Sequence, residues 1–363
     1  MRKGLCEISN PKQWKTISTE MLTPTGYPVY GANGIIGYFS DYNHTEETLL
    51  ITCRGATCGS LNICEPYSYV NGNAMAIDNL SEEVDLKYLY YYLLNRGLDD
   101  VITGSAQPQI VRQSLTKVYV EYPELNEQKE IVSSLNKVEQ LIFLRKQQLS
   151  KLDELVKSRF IELFGDQRTN PFGWDMVTIG DIATEVRYGT SRPAVEGGKY
   201  PYLRMNNLTY EGYLDLTDLK YIDIPDNEIE KCVVRNGDVL FNRTNSIELV
   251  GKTCVYNLDY DMIIAGYIIR VRIDDRMLPV VLSSYLNSTV LKEQLRSMAK
   301  GAVNQANINA QELQSIPIYL PPIDLQHEFV AFVEQTDKSK FEIQKSLEKL
   351  ETLKKALMQK YFG

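Results

Sequence analysis

The amino-acid sequence repeats itself, and this repeat limits the possible folds more than any other feature. Residues 104–132 (GSAQPQIVRQSLTKVYVEYPELNEQKEIV) match residues 301–330 (GAVNQANINAQELQSIPIYLPPIDLQHEFV). From Ile110, which matches Ile308, the separation stays constant as far as a Phe-Gly dipeptide that closes both copies. Two copies are too few for a solenoid, whose repeats must stack several times to bury their faces. The sequence therefore predicts one molecule with internal two-fold pseudosymmetry.

A weaker match between two tryptophan-containing segments suggests where each copy begins. Residues 10–14 read NPKQW and residues 170–174 read NPFGW, and these segments hold the only two tryptophans of the chain. Further along, Tyr27 matches Tyr200 at a larger separation than the NPxxW segments have. The second copy is therefore longer because of loop insertions. We expect each duplicated unit to begin at its NPxxW segment.

Each copy changes character along its length. Its first part is rich in β-branched and aromatic residues in short runs such as TLLITC and MIIAGYIIRVRI, which are typical of strands. A more helical stretch follows, and then one long helix. We predict a mixed α/β fold in which two duplicated α+β domains are joined by two long antiparallel coiled-coil helices. The predicted boundaries are 1–125 for the first domain, 126–165 for the central helix, 166–322 for the second domain and 323–363 for the C-terminal helix.

The two long helices are predicted from the spacing of their apolar residues. Asn126 and Asp324 each follow a proline-containing loop, and we expect them to cap the helices. Apolar residues then recur in the pattern of a coiled-coil seam. The seam residues are Ile131, Leu135, Val138, Ile142, Leu149, Leu152, Val156, Phe329, Val333, Ile343, Leu347, Leu350 and Leu357. The polar residues that interrupt the seam are Arg145, Thr336, Lys340 and Lys354. Because the chain must return between the domains, we expect the helices to pair with each other in antiparallel orientation.

Composition argues against several classes of protein. The formal net charge of −8 means that any nucleic-acid binding must come from local basic patches. The sequence contains no apolar run long enough to span a bilayer, and the first residues lack a signal-peptide core. The six cysteines form no disulfide-like pattern, which fits a reducing compartment. We therefore expect a cytoplasmic protein without membrane contact.

We predict no metal site, cofactor or catalytic centre within this chain. Cys53, Cys58 and Cys64 lie close together in the sequence, but they contain no Cys-x-x-Cys pair, which argues against zinc. Only two histidines are present, which leaves little material for acid-base catalysis. The segment SIELVGKT at 246–253 differs from a Walker A loop because Ser246 stands at its first glycine position. We expect the chain to bind a partner and not to carry out chemistry alone.

The chain resembles the DNA specificity subunit of type I restriction-modification systems over essentially its whole length. The resemblance lies in the duplicated layout, in GSAQPQI and GAVNQANI before the long helices, in LNEQKEIV at the start of the first helix, and in the Phe-Gly pair that ends both. It implies two target recognition domains, each of which reads one half of a bipartite double-stranded DNA target. It also implies that two spacer helices recruit two methyltransferase subunits and set the half-site spacing, and that restriction subunits join this core. Adenine methylation and ATP-dependent restriction, with S-adenosylmethionine, ATP and magnesium, would then belong to the partner subunits.

Residues that contact DNA are expected on loops of the two domains, because base reading needs polar or basic side chains that reach a groove. The candidates in the first domain are Tyr30, Asn33, Thr52, Arg54, Thr57 and Ser60. The candidates in the second domain are Arg187, Tyr188, Ser191, Arg192, Arg204, Asn206, Asn242, Arg243, Thr244, Asn245 and Lys252. Arg54 and Arg243 follow matching strands of the two copies, so we expect them to occupy equivalent positions.

For two further groups of polar residues the sequence predicts a role less specifically. The residues at the junction of each domain with its helix fit structural caps as well as DNA contacts, and they are Gln107, Gln109, Asn304 and Gln305. The charged residues expected to point outward toward partner subunits are Glu139, Lys146, Lys338 and Glu348.

Two other functions remain open from the sequence. A non-enzymatic protein-binding scaffold with coiled-coil arms is supported by the acidic isoelectric point of about 5.1. A self-contained methyltransferase or nuclease would need a cofactor-binding strand or a clustered acidic metal site, and neither is evident in the sequence.

Overall fold

The computed structural model describes residues 1–104, 107–302 and 305–363, and the chain divides into two compact units. The first unit is formed by residues 1–146 together with 345–363, and the second unit by residues 147–344. The predicted fold class is confirmed, because the structure is mixed α/β with two long helices. Within the described ranges, no helix is both long enough and apolar enough to cross a membrane.

Among its described residues, the first unit contains three small sheets, four α-helices, one of which continues into the second unit, and the end of the C-terminal helix. Its strands are β1 (Arg2–Gly4), β2 (Asn10–Gln13), β3 (Tyr27–Gly31), β4 (Gly34–Phe39), β5 (Thr48–Thr52), β6 (Leu61–Cys64), β7 (Tyr69–Val70), β8 (Ala74–Asp78) and β9 (Tyr119–Glu121). Its helices are α1 (Leu5–Ile8), α2 (Leu86–Arg96), α3 (Arg112–Leu115) and α4 (Leu125–Phe164). The sheets have the strand orders β2-β8-β5-β6, β4-β3-β7 and β1-β9.

The second unit contains four sheets and six helices among its described residues. Its strands are β10 (Asp175–Thr178), β11 (Ala183–Tyr188), β12 (Tyr200–Leu203), β13 (Lys220–Ile222), β14 (Val233–Val234), β15 (Val239–Asn242), β16 (Thr244–Asn245), β17 (Thr253–Val255), β18 (Met262–Ile264), β19 (Ile268–Ile273), β20 (Lys300–Ala302), β21 (Gln305–Asn307) and β22 (Pro317–Leu320). Its helices are α5 (Ile179–Ile182), α6 (Asp226–Cys232), α7 (Pro279–Asn287), α8 (Thr289–Met298), α9 (Ala310–Gln314) and α10 (Ile323–Phe362), the last of which ends in the first unit. The sheets have the orders β11-β19-β15-β17, β13-β12-β18-β14, β16-β21-β20 and β10-β22.

The two units share one strand arrangement, as the repeat predicts. The sheet β2-β8-β5-β6 corresponds to β11-β19-β15-β17, and the parallel pair β3·β7 corresponds to the parallel pair β12·β18. The N–H of Leu5 donates to the carbonyl of Val118 (2.8 Å), and the N–H of Ile179 donates to that of Ile316 (3.0 Å). Because Val118 matches Ile316 in the repeat, Leu5 corresponds to Ile179.

The expectation that the NPxxW segments begin the duplicated units is wrong. Since Leu5 corresponds to Ile179, residues 10–14 correspond to residues near 184–188, and not to 170–174. Asn10 and Pro11 lie in strand β2, whereas Asn170 lies in a turn with φ of +41°. The Asn-Pro dipeptide is common in turns, so its recurrence before a tryptophan is a coincidence of two different structures.

Local signals in the sequence explain how the shorter helices begin and end. The side chain of Asp85 accepts hydrogen bonds from the N–H groups of Lys87 (2.9 Å) and Tyr88 (3.0 Å), which satisfies two donors at the start of α2. The same helix ends at Gly97, whose φ of +73° strongly favours glycine. Helix α2 then buries Leu89 and Tyr91 in the core of the first unit.

The two long helices contain 40 residues each, and both begin earlier than the sequence suggested. Helix α4 begins at Leu125 and α10 at Ile323, so Asn126 and Asp324 lie inside the first turn and do not cap the helices. The thirteen predicted seam residues are all buried or half-buried. Phe160, Phe164 and Phe329 pack edge to face in the core of the second unit.

Parts of α4 and α10 pack together in each unit, and ion pairs show that they run antiparallel there. In the first unit Glu139 pairs with Lys354 (2.6 Å), and Lys146 pairs with Glu351 (3.5 Å). In the second unit the ion pairs are Asp153 with Lys340, and Arg159 with Glu328. The seam interruptions at Lys340 and Lys354 are therefore charged partners of the opposite helix. Glu139 and Lys146, which were expected to face partner subunits, are also engaged within this chain.

A buried glutamine near the start of each long helix joins the helix to the α/β part of its unit. Gln128 and Gln326 match each other in the repeat, and both are fully buried. The amide of Gln326 donates to the carbonyls of Arg276 (3.0 Å) and Pro321 (2.8 Å), and its oxygen accepts from the N–H of Leu278 (2.8 Å). Gln128 makes the same three types of bond in the first unit, at 2.8 to 2.9 Å. The repeat thus preserves a connection between each helix and the loop before a shorter helix.

Candidate nucleic-acid interface

The candidate interface of the first unit is the loop that follows strand β5. Arg54, Thr57 and Ser60 are exposed on this loop. The loop returns to its own strand because the N–H of Gly59 donates to the carbonyl of Thr52 (2.8 Å). Gly55 and Gly59 have φ values of +92° and +93°, which most other residues adopt only with strain. The glycines of CRGATCGS therefore make a tight loop that holds polar side chains at the surface.

A hairpin tip extends this surface. Asn33 lies between strands β3 and β4, and its side-chain oxygen accepts a hydrogen bond from the hydroxyl of Thr57 (2.6 Å). Arg54 forms a backbone bridge with Gln109. Within the described part of the chain, the Arg54 guanidinium pairs with no carboxylate. Asn33, Arg54 and Thr57 therefore form one exposed polar group, with Arg54 available for an anion or a base edge.

Two candidates of the first unit are buried and serve the fold. The hydroxyl of Thr52 donates to the carbonyl of Ala32, and the side chain of Tyr30 accepts from the N–H of Glu65 (3.3 Å). Thr52 is 2% exposed and Tyr30 is 6% exposed. We therefore leave both residues out of the proposed interface.

The candidate interface of the second unit is centred on Arg243 and Tyr188. The Arg243 guanidinium lies 4.9 Å from the centroid of the Tyr188 ring, and its Nη2 donates to the side-chain oxygen of Asn307 (3.0 Å). The Tyr188 hydroxyl accepts from the N–H of Ala310 (2.8 Å), so both partners of this stack are held in place. Nε of Arg243 is buried and has no hydrogen-bond partner among the described residues. Arginine stacked on an aromatic ring is a recurring way to orient a guanidinium for recognition.

Three candidates of the second unit are buried. Asn242 is fully buried, and its amide donates to the carbonyls of Thr244 and Tyr267, both at 3.1 Å. Thr244 is 5% exposed, and Lys252 is 6% exposed with its ammonium donating to the carbonyl of Met205 (2.8 Å). The contacts of Asn242 and Lys252 and the burial of Thr244 place these side chains within the fold, so we leave the three residues out of the interface as well.

Lys252 belongs to a buried cationic cluster that the sequence did not reveal. Lys292 on α8 is 4% exposed, and its ammonium donates to the carbonyl of Gly251 (2.5 Å). Burial, with the nearby charges of Lys252 and Arg296, lowers the pKa of Lys292 to about 7. Burial also lowers the pKa of Lys252. The two lysines connect the end of the Arg243 loop to its surroundings through backbone carbonyls.

The other arginine candidates of the second unit are engaged by carboxylates. The pairs are Arg187 with Glu185 (3.0 Å), Arg192 with Glu228 (2.7 Å) and Arg204 with Asp218 (2.7 Å). Such exposed pairs contribute little to stability, so a DNA phosphate can replace the carboxylate at small cost. The remaining candidates, Ser191, Asn206 and Asn245, are exposed or half-exposed.

Arg54 and Arg243 do not occupy equivalent positions. The N–H of Asn242 donates to the carbonyl of Lys252, as the N–H of Thr52 does to that of Ser60 (2.8 Å in both cases). Thr52 therefore corresponds to Asn242, and Arg243 is one residue closer to its strand than Arg54. Successive side chains of an extended segment point to opposite sides. This one-residue difference explains why Arg54 is exposed while Arg243 is packed against Tyr188.

Several residues near these loops have no motif in the sequence that predicts a role in binding. Ile35 and Ile36 are 48% and 42% exposed beside the Asn33 hairpin tip, and Tyr267 is 49% exposed beside Arg243. Asn307 holds the Arg243 guanidinium, whereas the sequence points only to its neighbours in NQANI. The one signal in the sequence is the repeat, since Asn307 matches Gln109, one of the predicted junction residues. Asn304 lies outside the described residues.

The clustered cysteines and the histidine of the first unit are used in its packing. Burial raises the pKa of the Cys53, Cys58 and Cys64 thiols. His44 contacts Asp78 through Nε2 (3.0 Å) and the side-chain oxygen of Asn43 through Nδ1 (2.6 Å). Over residues 1–104, 107–302 and 305–363, no three His, Cys, Asp or Glu side chains are grouped as a metal ion would require.

Comparison with known proteins confirms the predicted family. Residues 2–154 and 171–355 match the family described as "Type I restriction modification DNA specificity domain". The MjaX specificity subunit of a type I restriction enzyme from Methanocaldococcus jannaschii is 30% identical over 196 residues, which cover 53% of this chain and 46% of that protein. The EcoKI specificity subunit of Escherichia coli K12 is 22% identical over 291 residues, which cover 74% of this chain and 62% of that protein. The chain thus spans about half to three-fifths of the length of these two relatives.

A solved structure supports the fold. The type I restriction-modification S subunit of M. genitalium matches all of this chain and 96% of its own, with a TM-score of 0.65 and 16% sequence identity. At this identity the similarity concerns the fold alone.

Proposed function

The chain belongs to the family of type I restriction modification DNA specificity domains, and from this premise we propose that it is the sequence-specific DNA recognition subunit of a type I restriction-modification complex. Residues 1–125 and 166–322 are the two target recognition domains in this proposal, and residues 126–165 and 323–363 are the spacer helices. Each recognition domain reads one half of a bipartite double-stranded DNA target. The chain itself has no catalytic role and requires no cofactor of its own.

One observation carries the proposal of two different half-sites. The same strand ending, at Thr52 in one copy and at Asn242 in the other, is followed by different polar groups. The first copy presents Arg54 with Thr57 and Asn33, and the second presents the stack of Arg243 on Tyr188. A duplicated scaffold with two different sets of polar side chains suits an asymmetric target, because base contacts carry the sequence information.

The exposed faces of the long helices support the proposal that two copies of one partner bind to this chain. Phe143 and Phe341 match each other in the repeat, and they are 63% and 67% exposed. Leu155 and Leu353 also match each other and are 48% and 46% exposed. The first unit contains Phe143 and Leu353, and the second contains Phe341 and Leu155, so both units present the same apolar pair. Exposed apolar groups of this kind mark protein-binding surfaces.

We assign these two helix surfaces to two methyltransferase subunits, with restriction subunits joining the complex they form. Adenine methylation and ATP-dependent restriction then reside in these partners. A cytoplasmic location follows from this assignment, since the partners act on cellular DNA.

Methylation-site sequencing tests the proposal. The full chain, co-expressed with methyltransferase subunits, is offered a randomised duplex DNA library, and modified positions are mapped. We expect a bipartite motif with two unrelated halves separated by a fixed number of base pairs. Electrophoretic binding to the resulting target, with and without the methyltransferase, provides the second measurement. Modification without sequence preference, or a stable complex that never binds duplex DNA, would support a protein-binding scaffold and overturn the proposal.

A further inference from the structure

The second copy of the repeat contains an additional hairpin next to its candidate interface. Strands β3 and β4 pair Pro28 with Tyr38, ten residues further on, whereas β12 and β13 pair Pro201 with Tyr221, twenty residues further on. The ten extra residues fall between β12 and β13. They include a small turn at 208–214, in which the N–H of Thr209 donates to the carbonyl of Tyr213 (2.9 Å). We refer to residues 208–214 as the Tyr213 hairpin.

The Tyr213 hairpin contacts the helix pair of its own unit, formed by residues 147–164 of α4 and 323–344 of α10. The Tyr213 hydroxyl donates to Oδ1 of Asp337 (3.2 Å) and accepts from Nζ of Lys340 (2.6 Å). The Lys340 ammonium also lies 5.0 Å from the centroid of the Tyr213 ring and donates to Oδ1 of Asp153 (2.6 Å). The hairpin therefore engages α10 directly and α4 through Lys340.

The two copies also differ at Lys340. The residue that matches it in the first copy is the apolar seam residue Ile142. The Lys340 side chain is only 14% exposed, and a buried ammonium is costly without partners. Burial opposes its charge, but the hydrogen bonds to Asp153 and Tyr213 outweigh this effect and raise the pKa of Lys340. The inserted hairpin and the polar seam residue are far apart in the sequence, yet they meet in the structure.

In the first unit a tyrosine from a different element contacts the matching repeat position of the long helix. Glu139 is the repeat equivalent of Asp337, and its Oε2 accepts a hydrogen bond from the hydroxyl of Tyr91 on α2 (2.6 Å). The Tyr91 hydroxyl also donates to the side-chain oxygen of Asn136 (2.9 Å). Both units therefore place a tyrosine hydroxyl on a carboxylate at one repeat position. One unit uses a core helix and the other uses the inserted hairpin.

We propose that these two tyrosines are positioning residues, which brace each recognition domain against the long helices and so fix the distance at which the two half-sites are read. This inference rests on the proposed function, because it concerns how a DNA-reading domain is held. Tyr213 itself need not touch DNA. Its hydroxyl holds the loop that precedes strand β13, and the ion pairs of Lys340 connect that loop to both helices.

The test compares full-length Tyr213→Phe with Tyr221→Phe, in complex with the methyltransferase subunits. Tyr221 is an exposed tyrosine on β13, the strand that follows the Tyr213 hairpin. Its hydroxyl makes no hydrogen bond among the residues described, so removing this hydroxyl is a matched control. Two readouts are taken: amide hydrogen exchange of residues 208–214, and methylation rates on targets whose half-sites are separated by the native spacing or by one base pair more or less.

We expect Tyr213→Phe to lower hydrogen-exchange protection of the hairpin about tenfold, which corresponds to about 1.4 kcal/mol. It should also reduce the preference for native spacing at least several-fold, with both half-site sequences still recognised. Tyr91→Phe should likewise relax the spacing, and Tyr221→Phe should change neither quantity. Unchanged protection in Tyr213→Phe, or lost protection with an undiminished spacing preference, overturns the inference while leaving DNA recognition intact. If the wild-type complex shows no half-site preference, it is the proposed function that fails, and the exchange measurement still decides whether Tyr213 holds the hairpin.

Discussion

Replacing Gln326 by leucine should separate α10 from the α/β part of the second unit at one point. Leucine has a similar volume, so the change mainly removes three hydrogen bonds: two donated to the carbonyls of Arg276 and Pro321, and one accepted from the N–H of Leu278. Gln326 is fully buried, so water cannot replace these bonds without opening the fold. A buried polar group that loses its partner costs about 1 to 3 kcal/mol.

The expected loss of stability is about 3 kcal/mol, at the upper end of that range. The N–H of Leu278 bears the larger cost, because it has one proton to donate, whereas each carbonyl has a second lone pair. For a domain of this size, each kcal/mol shifts the melting temperature by about 2 to 4 °C, so the second unit should melt about 6 to 12 °C lower. Differential scanning calorimetry, combined with hydrogen exchange at the start of α7, measures the change.

The matched control is Gln335→Leu, the same substitution at an exposed position of the same helix. Surface substitutions of this kind change stability by less than about 0.5 kcal/mol. Gln128→Leu should reproduce the loss in the first unit, since its three hydrogen bonds have the same pattern. Equal melting of the Gln326 and Gln335 variants would refute the view that this buried amide holds helix and domain together.

Three other predictions follow from the interface, the helix seam and the buried lysines. Arg54→Ala should reduce discrimination between bases at one half-site by about 1 to 3 kcal/mol. Methylation-site sequencing should then show a weaker base preference in that half-site alone. A weaker preference in both half-sites would argue against Arg54 as a base contact of the first domain. Leu347→Asp should lower the melting temperature and weaken methyltransferase pull-down more than Glu348→Ala does. Leu347 is 5% exposed, and a buried unpaired carboxylate costs several kcal/mol. Equal, small effects of both substitutions would contradict a packed seam. The pKa of Lys292 is lowered to about 7, so between pH 7 and about 10 the unfolded chain binds more protons than the folded one, and folding stability should rise with pH by up to about 1.4 kcal/mol per unit. Melting curves of Lys292→Met across this range should lack that contribution, and an identical pH dependence in both proteins would show that Lys292 is not its source.

The long-range organisation of the molecule was predictable because it repeats. A constant separation over many residues fixes the two long helices relative to the repeat, and apolar spacing then identifies the seam. Short matches were less informative, as NPKQW and NPFGW show, because five residues can recur in a strand and in a turn. The helix starts were also misplaced, since the prolines before Asn126 and Asp324 did not show where the first turn begins.

The candidate interface was harder to predict from the sequence for a specific physical reason. Loop insertions shift the repeat by single residues, and a shift of one in an extended segment exchanges the buried and exposed faces. Arg243 therefore looked equivalent to Arg54 although it corresponds to Cys53. Lys252 looked like a surface cation because nothing in its neighbourhood shows that Met205 supplies a buried acceptor. Such contacts depend on residues far apart in the sequence.

The first unit is built from two separate segments of the chain, and this determines the order in which the two units can be completed during synthesis. Its core includes Met358, with Leu357 packed against it, and both residues emerge from the ribosome after the whole of the second unit. At about 5 to 20 residues per second, the stretch from Gln147 to Gly363 takes roughly 10 to 45 s to be made. During this interval the apolar face of α4 around Leu135 has no partner from α10. The unit whose synthesis starts first is therefore the one that needs protection from aggregation until residues 345–363 have been made.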